Sequence, residues 1–107
     1  MTEPDDKECE LEFEWDPKKR KSVFEHRGTD FIDAAEILVR PAYRSRSDRG
    51  GETRWLAIGP LHDGTLVAVV YTMRGTKYRI ITARRARSNE QHAYLHALAA
   101  APVEGEN

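Results

Sequence analysis

Arginines carry most of the chemistry this sequence could do. Arg84 and Arg85 close a run of apolar and β-branched residues, with Arg87 just beyond. Arg74 sits in the turn before that run, and Arg54 with Trp55 opens an earlier one. A guanidinium keeps its charge at every relevant pH, and its planar fork can grip two phosphate oxygens at once. RNA can be cut by its own 2′-hydroxyl if a protein takes that proton, neutralises charge building on the phosphate and helps the 5′-oxygen leave. Arginines suit the second task. The first and third need a base and an acid, for which the candidates are Glu52, Glu90, His62 and Tyr94. Each has a plainer reading. Glu52 is in a Gly-rich turn and can simply be solvated, and Glu90 suits the first turn of a helix. His62 is a turn residue, and Tyr94 can pack with Leu98. Spacing alone leaves open whether the arginines form one face, two clusters or a scattered solvated surface.

Their setting favours a polyanionic partner. Residues 1–15 hold seven carboxylates (Glu3, Asp5, Asp6, Glu8, Glu10, Glu12, Glu14) against Lys7 alone, and residues 104–107 add Glu104 and Glu106. Residues 16–103 carry 16 Lys and Arg against 9 Asp and Glu, although the whole chain nets only −1. A basic body between acidic ends fits a surface that displaces counterions from phosphates. A solvated surface with a solubilising tail is the bland alternative.

Other chemistries find little support. The four histidines are His26, His62, His92 and His96, and only His92 and His96 have helical i, i+4 spacing. There is no HExxH pattern, so neither a metal nor another cofactor is expected. A Gly-rich phosphate loop and a GxSxG elbow are also missing. Cys9 is the one cysteine. It rules out an internal disulfide and, among carboxylates, is read as an inert thiol. The acidic start shows no signal peptide, and the longest apolar run, residues 66–71, is too short to span a membrane, so a cytoplasmic location is expected.

The elements that must position these side chains follow from periodicity. Residues 1–9 read as a disordered acidic tail and 102–107 as a second, leaving one domain over 10–101. Leu11, Phe13 and Trp15 alternate with glutamates, as in a half-buried edge strand. Asp16-Pro17 caps and opens a helix that runs to about Arg27 and stops at Gly28. Phe31, Ala34, Ala35 and Leu38 give a second helix, ended by Pro41. Residues 42–47 alternate again, and Asp48-Arg49-Gly50-Gly51 is a turn. Strands are then expected over 53–61, 65–73 and 77–84, the middle one central, with turns at 62–64 and 74–76. Ser88 with Gln91 forms a capping box for a last helix to about Ala100, before Pro102. The order is β-α-α-β-β-β-β-α: an α+β domain with two helices on one face of an antiparallel sheet, plus a C-terminal helix.

Four stretches in this order resemble the BrnT family of bacterial toxins, within the RelE-like ribonuclease group. They are Phe13-Glu14-Trp15-Asp16-Pro17 with Lys19; Gly28-x-x-Phe31 with Asp33-Ala34; Glu52-x-Arg54-Trp55-x-x-Ile58-Gly59; and Val70-Tyr71-Thr72-x-Arg74-Gly75 leading to residues 79–86, then Glu90 and Tyr94. The resemblance spans about residues 11–95. It implies a RelE-like fold and a metal-independent endoribonuclease that inhibits translation and arrests growth. It also implies a ribbon-helix-helix antitoxin that neutralises it, in a heterotetramer of two toxins and two antitoxins that contacts operator DNA only through the antitoxin. On this reading Arg84 and Arg85 stabilise the transition state, with Arg54, Arg74 and Glu52 completing the catalytic set. Lys18, Lys19, Arg27, Arg44, Arg46 and Arg79 contact the RNA. One departure concerns Val23-Phe24-Glu25-His26-Arg27-Gly28, where the family pattern is Asn-x-x-Lys-His-Gly. Arg27 replaces its histidine, and a guanidinium does not release a proton. A non-catalytic module that binds nucleic acid or antitoxin, a degenerate toxin kept as a corepressor, is the alternative.

Overall fold

The computed structural model describes residues 12–100. The two acidic tails, Cys9 and the expected strand start at residues 10–11 lie outside the described residues.

The elements are β1 (Glu12–Trp15), α1 (Pro17–Arg27), α2 (Phe31–Leu38), β2 (Tyr43–Arg46), β3 (Trp55–Pro60), β4 (Leu66–Arg74), β5 (Lys77–Arg85) and α3 (Ser88–Ala100). They follow the expected order and form a mixed α+β domain. The five strands lie side by side as β1-β5-β4-β3-β2, so β4 is central as its apolar, β-branched sequence requires. Pairs β5-β4, β4-β3 and β3-β2 are antiparallel. The edge differs from a purely antiparallel sheet: β1 runs parallel to β5, with Glu12 opposite Lys77 and Trp15 opposite Ile80. The long path through two helices, three strands and their turns allows this, since a parallel neighbour needs an extended crossover.

Both N-terminal helices cover one face. Asp16 caps α1 by accepting from the Lys18 N–H at 2.9 Å, and Gly28 closes it at φ 73°, where a glycine costs least. Only Val23 of α1 is buried, so polar ties hold this helix down. Arg20 donates to both oxygens of Asp30 (2.7 and 3.1 Å), and Asp30 in turn caps α2. Helix α2 supplies the apolar contacts. Its buried residues are Phe31, Ala34, Ile37 and Leu38. Ile37 is thus buried more deeply than the expected Ala35. They pack on Val67, Val69, Tyr71, Ile80 and Ala83. On the opposite face α3 covers a smaller cluster, with Tyr94 against Ile58, Ala68 and Ala86. The start of α3 corrects the expected capping box. Glu90, not Gln91, reaches back, accepting from the Arg87 N–H at 2.8 Å, while Gln91 donates to the Ala86 carbonyl. No helix among the described residues is long and apolar enough to cross a membrane.

One irregularity decides which side chains share a face. Thr82 pairs with Val70 and Ile80 with Tyr71, so Ile81 is an extra residue in β5. Counting back by twos from the buried Ala83 would bring Arg79 to the helix-covered face. The bulge shifts the phase: Ile80 becomes the buried residue, and Arg79 turns to the other face.

Candidate functional site

Helix α3 covers only the β2-β3 side of its face. The remainder, over β3, β4, β5 and the end of β1, forms an open cleft of about 240 Å³. Four cations line it: Lys19, Arg54, Arg74 and Arg79. Asp16, Glu52 and Thr72 join them, with Ile80 and Ile81 of the bulge at its edge. The strands place these groups by register. Arg79 lies opposite Thr72, and Arg74 lies two residues beyond Thr72 on the same strand.

The segment that brings Glu52 and Arg54 into the cleft is tied down at several points. Arg49 and Glu52 exchange both backbone hydrogen bonds (3.0 and 2.9 Å) around Gly50 and Gly51. Both glycines have positive φ, 59° and 83°, as a two-residue type I′ hairpin turn requires. The buried Thr72 donates its hydroxyl to the Thr53 carbonyl at 2.7 Å. Asp48 accepts from the Arg54 N–H, and Arg46 holds Asp48 in a two-pronged pair (2.7 and 3.0 Å). Within the cleft, Arg54 Nε donates to Glu52 at 2.8 Å, and Arg79 donates to Glu14 at 3.1 Å. Neither Lys19 nor Arg74 has a carboxylate partner among the described residues. The cleft therefore carries excess positive charge, with two carboxylates, Glu52 and Glu14, each held by a neighbouring guanidinium.

The structure divides the residues picked from the sequence. It gathers Arg54, Arg74 and Glu52, and adds Lys19 and Arg79. It does not bring Arg84 and Arg85 into this group. Adjacent strand residues point to opposite faces. Arg85 pairs with Val67 on the helix-covered face, and Arg84 pairs with Ala68 beneath α3. Arg84 meets Glu90 through two 2.8 Å hydrogen bonds, which hold the Glu90 carboxyl below the ordinary carboxylate range. A shared grip by Arg84 and Arg85 on one phosphate is thus not available. Glu90, as a proton-transfer candidate, is occupied by the same pair.

The other candidates also lie apart from the cleft. Arg44 faces the opposite side, donating to the Tyr71 hydroxyl (2.7 Å) and to the Leu38 carbonyl at the end of α2 (2.8 Å). Arg46 sits over Trp55, 5.2 Å from the ring centre, on that same side. Arg27 reaches Thr82 Oγ1 at 3.1 Å and braces the end of α1 on β5. Lys18 is exposed on α1 beside the cleft but does not line it. His62 is exposed and pairs with Glu36, and Tyr94 packs from α3 onto Ile58, Ala68 and Ala86. From the sequence Asp16 has a capping role, and Asp16, Thr72 and Glu14 otherwise enter only as parts of the stretches that resemble the family, without a site role. Glutamates alternating along β1 were the available signal for Glu14, but using it required knowing that β1 pairs with β5.

The family described as "Ribonuclease toxin, BrnT, of type II toxin-antitoxin system" matches residues 15–90. The chain belongs to the BrnT family of ribonuclease toxins. This BrnT-family chain is also similar in fold to a crystal structure of the Brucella abortus ribonuclease toxin BrnT. That match has a TM-score of 0.56 and 23% identity, covering 74% of this chain and 100% of that one. No curated protein matches. Membership in a type II toxin-antitoxin family implies an antitoxin partner for this chain, and the matched region contains every residue lining the cleft.

Proposed function

We propose that this chain is a metal-independent endoribonuclease toxin that cuts RNA in the cleft between Lys19, Arg54, Arg74 and Arg79, and so inhibits translation. The observation that carries the reading is the excess of cations around the arginine-oriented carboxylate of Glu52, which lines the cleft, within a ribonuclease family. Arg74 and Arg79 hold the scissile phosphate, and their charge rises in value as negative charge develops on its oxygens. Glu52 takes the proton from the 2′-hydroxyl, held in position by Arg54. The 2′-oxygen attacks phosphorus, the bond to the 5′-oxygen breaks, and the Lys19 ammonium gives that oxygen a proton. The products are a 2′,3′-cyclic phosphate and a 5′-hydroxyl. Arg27, in place of the family histidine, acts here as a brace rather than as a proton donor.

The partner reading extends this. We propose a ribbon-helix-helix antitoxin whose dimer carries two copies of the chain and joins it indirectly to operator DNA.

The test is cleavage of RNA in the presence of a chelator, with analysis of the new ends. Retained cleavage, cyclic phosphate ends and complete block by 2′-O-methyl substitution are expected. Cleavage that stops in chelator, or that proceeds on 2′-O-methyl RNA, contradicts the mechanism. One observation favours a second reading: the cleft lining contains no histidine. Intact RNA with retained binding supports the non-catalytic corepressor module.

A further inference from the structure

We propose that the acidic segment preceding β1 competes with RNA for the cleft and damps the toxin in cis. This rests on the reading of the cleft as the RNA site. The segment lies before the region that the family matches, residues 15–90. Residues 1–11 hold Glu3, Asp5, Asp6, Glu8 and Glu10 against Lys7.

The tether point puts the cleft within reach. Strand β1 lies parallel to β5, so its first residue, Glu12, sits beside Lys77. Lys77 in turn pairs with Arg74, which lines the cleft. The chain therefore enters the fold at the cleft's mouth. Eleven extended residues reach about 35 Å, whereas crossing from β1 to β3 takes only about 15 Å at the usual strand spacing.

The charges match too. Lys19 and Arg74 lack carboxylate partners among the described residues, and Glu14 shows how a β1-side carboxylate engages this site: it accepts from Arg79 at 3.1 Å. Glu12 and Glu14 share one face of β1. Each added contact is weak, but the tether keeps the local carboxylate concentration in the millimolar range. Occupied cations have already released their counterions, so RNA gains less by displacing the segment than by meeting a bare cleft.

The probe is a short single-stranded 2′-O-methyl RNA, which binds without being cut. Its affinity is measured at low and high salt for the full chain and for the full-length variant E3Q/D5N/D6N/E8Q/E10Q. The variant is expected to bind about threefold to tenfold tighter at low salt, with a steeper salt dependence, and to converge with the wild type at high salt. A synthetic peptide of residues 1–11 is expected to displace RNA from the variant, and to lose that effect when Arg74→Ala is added. Equal affinity and equal salt dependence in the two proteins overturn the proposal, as does a peptide that still competes after Arg74→Ala. If Arg74→Ala weakens RNA binding while the five neutral substitutions change nothing, only the tail proposal falls. If Arg74→Ala leaves binding intact, the cleft reading falls with it.

Discussion

Both terminal nitrogens of Arg84 meet the two oxygens of Glu90 at 2.8 Å. This pair links the end of β5 to the first turn of α3, and Glu90 also accepts from the Arg87 N–H at 2.8 Å. It converts a residue that looks like a phosphate ligand into a bolt for the C-terminal helix.

Substituting Glu90→Gln is therefore expected to destabilise the fold by about 1–3 kcal/mol at neutral pH, because it leaves a half-buried guanidinium without its partner. The hydrogen bonds from Arg84 hold the Glu90 carboxyl below its unfolded value, outweighing the opposing effect of burial. The stabilisation is then fully present above the unfolded pKa and is lost as pH falls through the lower, folded value. Urea melts across the acid range should show the wild type and Glu90→Gln converging toward low pH. A gap that persists unchanged there contradicts the role given to the ionised pair.

Glu52 is expected to act on chemistry and not on affinity. Glu52→Gln should lower RNA cleavage by about 10²- to 10⁴-fold, the usual contribution of a general base. Binding of 2′-O-methyl RNA should hold or tighten, because a negative charge leaves a cation-rich cleft. Loss of binding together with cleavage would show that Glu52 positions the segment around Arg54 and does not move the proton.

Gly59 is a packing prediction free of the active chemistry. A Cβ placed there would sit 3.0 Å from Ile37 Cγ2, where α2 rests on β3. Gly59→Ala should cost about 1–3 kcal/mol through forced repacking. In thermal melts the variant should be less stable, with cleavage per folded molecule unchanged at low temperature.

Much of the frame was legible because its signals are local. Asp16-Pro17 and Gly28 bound α1, the spacing of Phe31, Ala34 and Leu38 marks α2, and the Gly50-Gly51 turn lies where residues 48–51 indicated it. Residues 65–73 read as a central strand because they are nearly all apolar and β-branched, and β4 (Leu66–Arg74) lies there. What escaped the sequence depends on partners distant along the chain. Nothing near Phe13 states that β1 will lie parallel to β5. Nothing around Ile81 announces the extra residue that turns Arg79 to the cleft. The same limit governed the site. The sequence names Glu52, Arg54 and Arg74 by residue type and Lys19 and Arg79 through the family resemblance, but its consecutive Arg84 and Arg85 stand out more strongly. Strand alternation then separates them, and a partner six residues away engages Arg84.

The central claim is that the cleft, and not the Arg84-Arg85 pair, holds the phosphate as it breaks. The most direct test compares single-turnover RNA cleavage by Arg74→Ala and Arg85→Ala, both on exposed positions that leave the core untouched. The account predicts a loss of about 10²- to 10³-fold for Arg74→Ala, in line with removal of one preorganised transition-state donor, and a rate near wild type for Arg85→Ala. Full activity in Arg74→Ala with collapse in Arg85→Ala would contradict it.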